Sequence, residues 1–200
     1  MRFYIETYGC TANRSDESII KGILTSKGMG MAEKPEVADV SIILTCTVIG
    51  TTEQRMLNRI RKLYNSSRKL IVSGCMASVQ PDLIKGVAPA AEILPPDRIG
   101  QIYEVIVGKK VEERRISKTS LSRCFDDIRA PISIAEGCIF SCSYCITCKA
   151  RGKLVSYPRE EIVSTVRDAL RGGAKEIQLT SQDLASYGVD KGWSLLELVK

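Results

Sequence analysis

Cysteine is the residue type in this sequence that is best suited to chemistry, since the 200 residues include eight cysteines and no histidine. Four of them lie in the stretch EGCIFSCSYCITCKARGKLVSYP, residues 136–158, where Cys138, Cys142 and Cys145 give the pattern C-x3-C-x2-C on a predicted loop after a strand. Thiolates at this spacing can hold one face of an iron–sulfur cube and leave one iron open to another ligand. A structural zinc ion would need a fourth ligand, which only Cys148 or a remote cysteine could supply.

Three further cysteines, Cys10, Cys46 and Cys75, each end a predicted strand, in the segments RFYIETYGC, ADVSIILTC and KLIVSGC. The carboxyl ends of parallel strands lie along one edge of a sheet, where α/β proteins bind ligands. Each interval is about one strand–helix–strand unit long, so these cysteines can converge. The alternative is that all three are small buried apolar residues, as free cysteines often are. Cys124 lies in a charged segment and is interpreted as a bystander thiol.

The pattern of apolar residues predicts the elements that would position these thiols. Residues 1–108 alternate strand-like and helix-like segments, which predicts an open parallel α/β sheet. One helix is expected in SDESIIKGILTSKG, with Asp16 and Glu17 near its positive amino end. Residues 109–130 are charged, lack apolar periodicity and are interpreted as a linker. Residues 131–200 read as strand, helix, strand and the start of a helix, about two βα units of a barrel domain that has not closed, so we expect a truncated chain.

Charge and hydrophobicity limit the possible functions. The formal net charge of +6 modestly favours a polyanionic partner. No apolar run is long enough to cross a bilayer and no signal peptide is evident, so we expect a cytoplasmic protein without a membrane partner. In that reducing compartment, clustered thiols are expected to bind metal or do chemistry rather than form disulfides. The helix expected in EQRMLNRIRKLYNSSRK carries a basic stripe, either a solvated face or a surface for RNA phosphates. Its members are Arg55, Arg59, Arg61, Lys62, Arg68 and Lys69.

Several of these segments resemble one enzyme family. Tyr144, before the third cysteine, completes a pattern similar to that of radical S-adenosylmethionine enzymes, and CSYCITCKARGKLVSYP resembles the methylthiotransferases among them. LTSQDLASYG, residues 179–188, is similar to their segment after the second barrel strand. The contexts TYGCTAN, LTCTVIG and SGCMAS around the three distant cysteines match the same family. The ending Ser156-Tyr157-Pro158 resembles the archaeal and eukaryotic branch that acts on N6-threonylcarbamoyladenosine in tRNA, whereas bacterial relatives usually have S-R-P.

This resemblance implies a methylthiotransferase N-terminal domain followed by the first units of a radical S-adenosylmethionine partial (β/α) barrel. It also implies two [4Fe–4S] clusters. The cluster on the C-x3-C-x2-C cysteines would bind S-adenosylmethionine, and an auxiliary cluster on the three distant cysteines would hold or donate sulfur. The implied reaction adds a methylthio group to C2 of N6-threonylcarbamoyladenosine, on the 3′ side of the anticodon. A 5′-deoxyadenosyl radical would start it.

Residue roles and partners follow from the same resemblance. Tyr144, Gln182, Asp183 and Arg151 would lie at the S-adenosylmethionine site. The alternatives are that Gln182 and Asp183 are polar loop caps and that Arg151 meets RNA phosphate or lies on a solvated face. Asn13 would cap the first helix or take part in a site. The implied partners are the tRNA anticodon stem-loop, a reduced flavodoxin- or ferredoxin-like electron donor and a sulfur source.

Three points stay open in the sequence. The same chemistry could act on isopentenyladenosine in tRNA or on a ribosomal protein aspartate. A zinc-stabilised nucleic-acid-binding module without catalysis is the alternative from another class. Cys148 stands where relatives of this branch often have lysine, so it departs from the family pattern.

We expect that 200 residues without the later barrel strands do not turn over substrate.

Overall fold

A five-stranded parallel sheet organises the first half of the chain. The computed structural model describes residues 1–47, 50–109, 117–125 and 128–200. The strands of the sheet are β1 (Arg2–Thr7), β2 (Gly30–Met31), β3 (Val40–Thr45), β4 (Leu70–Gly74) and β5 (Glu92–Ile93). They lie in the order β2-β1-β3-β4-β5, and each neighbouring pair is parallel. The expected open parallel α/β sheet is therefore confirmed.

Helices cover both faces of this sheet. They are α1 (Thr11–Ser26), α2 (Gly50–Ser66), α3 (Cys75–Val79), α4 (Pro81–Val87) and α5 (Ile102–Ile106). One core contains Ile42 of β3 together with residues of α1 and α5, and the other contains Ile43 of β3 together with residues of α2 and α4. Every residue of β3 is buried. Burial on both faces explains the continuous apolar run of this strand.

A second set of strands follows. Its elements in chain order are β6 (Arg129–Ser133), β7 (Ala135–Glu136), α6 (Ile146–Arg151), β8 (Val155–Ser156), α7 (Arg159–Arg171), β9 (Glu176–Thr180) and α8 (Leu195–Val199). β6 and β9 pair in parallel, and β7 and β8 pair antiparallel. α7 lies between β8 and β9 in the chain and packs Ile162 and Ala169 into the cores beside β6. The parallel β6–β9 pair with its crossover helix agrees with the expected first units of a barrel.

Three elements differ from the sequence expectation. α1 begins at Thr11, earlier than the apolar pattern indicates, so Asp16 is buried in the helix interior rather than placed at its amino end. The strand expected in PISIAEGC is broken after Ser133, because β7 pairs with β8 and not with β9. The helix expected in IGQIYEVIVGKK is a 3-10 turn at Pro96–Gln101 followed by the short α5.

Part of the predicted linker packs against the sheet domain. Residues 110–116 and 126–127 of this segment lie outside the described residues, as do residues 48–49 of the LTCTVIG context. Within the described part, Lys118 is only 2% exposed. The Cys124 N–H donates to the Ser18 carbonyl of α1 at 2.8 Å. The described part of the predicted linker is therefore anchored by contacts with α1.

Glycines permit close backbone contacts beside two of the cysteines. Gly74, which ends β4 before Cys75, has φ +82°, and a Cβ there would overlap the backbone of Thr45 in β3. Gly137, before Cys138, has φ +78°, and a Cβ there would overlap the backbone carbonyl of Lys153. Only glycine adopts such positive φ values without steric cost. The residue before each of these cysteines therefore has a backbone conformation and a close contact that only glycine permits.

Replacing Gly74 with alanine tests the importance of its close contact. We expect Gly74→Ala to lower the free energy of unfolding by about 2 kcal/mol, because strain at positive φ adds to the overlap with Thr45. Chemical denaturation of the purified chain measures this change. Gly86→Ala in α4 is the matched control, since a Cβ there meets no atom within 4 Å and alanine favours helix. Equal stability of the two variants would contradict the prediction.

Candidate functional site

The three distant cysteines lie together at the carboxyl edge of the sheet, and we call them the first cysteine site. Cys10 follows β1, Cys46 follows β3 and Cys75 follows β4, and these strands are neighbours. Cys75 is buried and interacts electrostatically with the thiols of Cys10 and Cys46. Gly9 approaches so closely that a Cβ there would lie 2.8 Å from the Cβ of Cys46. The fold thus brings together the three thiols that the sequence separates.

Asn13 ties the strand ends of the first cysteine site together. Its buried amide donates to the Tyr8 carbonyl at 2.6 Å and to the Thr45 carbonyl at 3.0 Å, next to two of the cysteines in sequence. The Thr45 hydroxyl donates in turn to the Ser73 carbonyl of β4 at 2.6 Å. The N-cap residue of α1 is Cys10 and not Asn13. Asn13 therefore acts as a structural member of the site rather than as a helix cap.

Arg151, which was predicted to lie at the S-adenosylmethionine site, points into a buried ionic network beside the first cysteine site. Its Nη1 lies 2.7 Å from Asp16 Oδ2 and 2.7 Å from Glu136 Oε1, and its Nη2 donates to Asn13 Oδ1 at 2.7 Å. Lys118 Nζ lies 2.8 Å from Asp16 Oδ1 and 2.5 Å from Glu136 Oε1. We call the four charged side chains Asp16, Lys118, Glu136 and Arg151 the buried ionic network.

Burial and nearby charges act in opposite directions on these groups. Burial raises the pKa of the Cys75 thiol, whereas the charge and hydrogen bonding of Arg151 lower it, and the net direction is upward. Burial also raises the pKa of the Glu136 carboxyl, but Lys118 and Arg151 outweigh it and hold that pKa below its ordinary value. Burial alone would lower the pKa of Arg151, yet Asp16 and Glu136 keep it well above its ordinary value. Glu136 and Arg151 therefore stay ionised at neutral pH.

The C-x3-C-x2-C cysteines line an open cavity of about 650 Å³, and we call them the second cysteine site. The loop that carries them is fixed at its beginning, because Gln182 Oε1 accepts the Gly137 N–H at 2.6 Å. It is fixed again where the Cys138 N–H donates to the Gly152 carbonyl at 3.1 Å. Gln182 therefore positions the backbone next to the first ligand candidate, which is a supporting role that the sequence did not indicate.

Cys148 lines the same cavity as the three cysteines of the second cysteine site, and it interacts with Cys145. The backbone N–H and the thiol of Cys148 hydrogen-bond to the Cys145 sulfur and lower the pKa of Cys145. The same hydrogen bond raises the pKa of Cys148 to about 11, with smaller contributions from burial and from the other thiols. The Cys148 sulfur also lies 3.4 Å from the Phe140 carbonyl, which is a second possible acceptor for the same proton. Cys148 thus keeps its proton while Cys145 becomes the better thiolate.

The remaining residues expected near S-adenosylmethionine have different surroundings. Tyr144 is 89% exposed, and its hydrogen bond with Cys142 raises the pKa of the phenol. The Asp183 carboxylate accepts from the Ala185 N–H at 3.2 Å and from the Ser186 hydroxyl, so it caps a short 3-10 helix. Tyr144 is free to meet a ligand, whereas Asp183 is held by its own loop.

The donor sets of both cysteine sites suit iron–sulfur clusters. Each site offers three free thiols, and thiolates are the usual ligands of such clusters. Among the described residues, no group of three or more Cys, Asp or Glu side chains is arranged so that it could already hold a single metal ion. Thiolates around a four-iron cube lie farther apart than those around one ion, and metal binding completes ligand geometry in many sites. Three thiols without a closed cage are therefore compatible with a cube.

The basic stripe predicted for the helix now labelled α2 is divided by its contacts. Arg59 Nη2 lies 2.7 Å from Glu6 Oε2 in β1. Lys69 lies beyond the end of α2 and donates to the carbonyls of Val105 and Ile106 at 2.7 and 3.2 Å. Both cations are held by these contacts within the fold, so neither is available to bind a phosphate. The exposed members are Arg55, Arg61, Lys62 and Arg68.

The structural role of the buried ionic network has no local signal in the sequence. Asp16 was interpreted as a charge near a helix end, and Lys118 as part of a linker. These two residues are 102 positions apart, yet their side chains lie 2.8 Å apart. The sequence feature that points toward the network is Asn13, which belongs to the TYGCTAN context and contacts Arg151 directly. No local pattern marks pairs at such separation.

Comparison with known proteins identifies relatives along the whole chain. Residues 2–94 match the uncharacterized protein family UPF0004. The chain is 37% identical to a probable threonylcarbamoyladenosine tRNA methylthiotransferase of Methanothermobacter thermautotrophicus, with 100% of this chain and 49% of that protein covered. It is 32% identical to the threonylcarbamoyladenosine tRNA methylthiotransferase of Xenopus laevis, with 99% and 39% covered. The chain thus spans about half the length, or less, of these curated relatives.

A solved structure shares the fold. The radical S-adenosylmethionine methyltransferase TsrM from Kitasatospora setae, solved with tryptophan and an S-adenosylmethionine analog bound, has a TM-score of 0.61 at 11% identity. The match covers 99% of this chain and 50% of TsrM. Within the described part of the chain, no helix has the length and apolar character needed to cross a membrane. Residues 2–94 therefore match the UPF0004 family model, and the chain as a whole is similar to threonylcarbamoyladenosine tRNA methylthiotransferases of archaea and eukaryotes.

Proposed function

We propose that this chain is the cluster-binding part of a tRNA methylthiotransferase that converts N6-threonylcarbamoyladenosine, 3′ of the anticodon, into its 2-methylthio derivative. The observation that carries the proposal is the pair of three-cysteine sites placed on either side of one short helix, α6. One site alone would suit many radical enzymes. A second site with its own open position is what sulfur insertion requires. The names of the relatives support the same reaction.

Each cysteine site would hold one [4Fe–4S] cluster, with S-adenosylmethionine at the second site. When bound, these groups supply a 5′-deoxyadenosyl radical together with the sulfur and the methyl group of the product. Radical chemistry suits the C2 carbon of the adenine ring, because no side-chain base could deprotonate it. This requirement agrees with a chain that contains no histidine.

The chain's own residues would orient the ligands of the second cysteine site. Cys148 donates a hydrogen bond to the Cys145 sulfur and so favours its thiolate form. Lys149 and Lys153 line the same cavity and bring positive charge, which suits the carboxylate of an amino-acid ligand. Tyr144 is open to solvent beside Cys142 and offers a ring face against which a planar group could stack.

The Ser156-Tyr157-Pro158 ending supports the choice of substrate only indirectly. Tyr157 is buried, and its carbonyl accepts the Tyr187 hydroxyl at 2.9 Å. It therefore packs within the second half of the chain and does not present its ring to a nucleoside. The relatives' names, rather than a contact made by Tyr157, favour N6-threonylcarbamoyladenosine over isopentenyladenosine or a protein aspartate.

The proposal includes three partners and a compartment. tRNA would bind through its anticodon stem-loop, and the exposed basic residues of α2 are available for its phosphates. A reduced flavodoxin- or ferredoxin-like protein would deliver the electron, and a separate source would renew the sulfur. The cytoplasm is the fitting compartment, because its reducing conditions keep the six proposed ligand cysteines free to bind iron.

Iron content tests the two-cluster proposal. Anaerobic reconstitution of the 200-residue chain is expected to give about eight irons per chain, since each cube contains four. Alanine replacement of all three cysteines in either site should reduce this to about four irons, because the other site still binds. Iron and acid-labile sulfide analysis, with metal analysis for zinc, provides the measurement.

Two single variants act as matched controls for iron content. Cys148→Ala and Cys124→Ala each remove one thiol that the proposal assigns to no cluster, so both should retain about eight irons. A chain that binds one zinc and no iron would refute the enzyme and favour the nucleic-acid-binding module. Loss of four irons in Cys148→Ala would instead make Cys148 a ligand.

Nucleoside analysis tests the substrate. Mass spectrometry of tRNA digests from cells that lack the intact gene should show loss of 2-methylthio-N6-threonylcarbamoyladenosine. Its unmethylthiolated precursor should accumulate, and other methylthio nucleosides should be unchanged. Restoring the gene with the three cysteines of the first site replaced by alanine should not rescue the modification. Loss of a different methylthio nucleoside would move the substrate to isopentenyladenosine.

A further inference from the structure

One short helix connects the two cysteine sites. Cys145 is the N-cap residue of α6, and Arg151 is the last residue of that helix. Six residues at 1.5 Å each make α6 about 9 Å long. At its far end, the Arg151 side chain interacts with Cys75 as a charge and as a hydrogen-bond donor. α6 also packs against α3, whose first residue is Cys75.

Arg151 is held in a single orientation by partners from other elements. Asp16 of α1 and Glu136 of β7 each lie 2.7 Å from its Nη1, and Asn13 of α1 accepts from its Nη2. The Arg151 side chain is 2% exposed. A guanidinium with three such partners cannot turn away without leaving buried charges unpaired, which is strongly unfavourable.

The charged side chains in and beside the buried ionic network carry a net positive charge. Within the buried ionic network, two cations and two carboxylates balance. Arg123, which is half-buried, adds a further positive charge, since its Nη1 donates to Ser15 Oγ at 3.0 Å and its Nη2 to the Lys118 carbonyl at 3.2 Å. Burial lowers the pKa of Arg123 to about 10, so it is still protonated at neutral pH. Arg123 therefore adds one positive charge beside a network whose own charges balance.

We propose that Arg151 is a positioning residue for the cluster of the first cysteine site: it donates to the Cys75 sulfur and, through α6, sets the separation from the second cysteine site. This inference rests on the proposed function, because it requires a cluster at Cys10, Cys46 and Cys75. Hydrogen bonds to ligand sulfur and nearby positive charge raise the reduction potential of an iron–sulfur cluster. Arg151 should therefore make the first-site cluster easier to reduce.

The test isolates the first-site cluster and measures its potential. The starting protein is the 200-residue chain with the three cysteines of the second site replaced by alanine, reconstituted anaerobically. Dithionite titration followed by electron paramagnetic resonance gives the midpoint potential. Arg151→Met should retain about four irons but lower the ratio of reduced to oxidised cluster at the original midpoint about tenfold, equivalent to about 59 mV for one electron. Arg151→Lys should restore part of this shift, because lysine keeps the charge but not the planar fork.

Arg167→Met is the matched control, because it also replaces an arginine with methionine, but at an exposed position of α7. Its potential should equal that of the starting protein. Circular dichroism checks that each variant folds. If Arg151→Met does not fold, the potentials of Arg151→Lys and Asn13→Ala test the inference instead, since both should be lower than that of the starting protein. An unchanged potential in folded, iron-loaded variants of Arg151 would overturn the inference. A starting protein that binds no iron would refute the proposed function itself.

Discussion

The buried ionic network is the constraint on which the rest of this structure depends. Asp16 comes from α1, Lys118 from the predicted linker, Glu136 from β7 and Arg151 from α6, and all four are almost completely withdrawn from water. A buried charge is tolerated only with a close partner. The sheet domain and the second set of strands can therefore pack together in only a narrow range of positions, since any other placement would strand at least one charge.

This constraint places the two cysteine sites next to each other. Asn13 joins the ends of β1 and β3, and Arg151 reaches from α6 to Cys75. The chain approaches Cys75 and Cys138 through glycines at positive φ, which bring the neighbouring backbone within contact distance. Two sites that react with one substrate must be held at a fixed separation. The buried ionic network together with the short helix α6 provides that separation better than a flexible linker.

In this protein, the fold and the proposed function rest on different observations. A fold shared with TsrM at 11% identity shows only that a parallel α/β arrangement can precede a barrel-like one. The proposed sulfur insertion rests instead on the chemistry of the sites: a second set of three thiols lies at the edge of the sheet, with a cation beside one of them. Cys148 adds a local variation, since it supports Cys145 by a hydrogen bond.

The sequence by itself determined the open parallel sheet, the grouping of six cysteines into two sets and the resemblance to methylthiotransferases, because strand alternation, thiol spacing and motif contexts are local patterns. Only the tertiary structure decided what Arg151, Asp16 and Gln182 do. Arg151 was expected at S-adenosylmethionine, yet its partners are 135 and 138 residues away in sequence. Side chains at such separation carry no periodic signal, and their pairing depends on how two halves of the chain pack, which is fixed by burying opposite charges together.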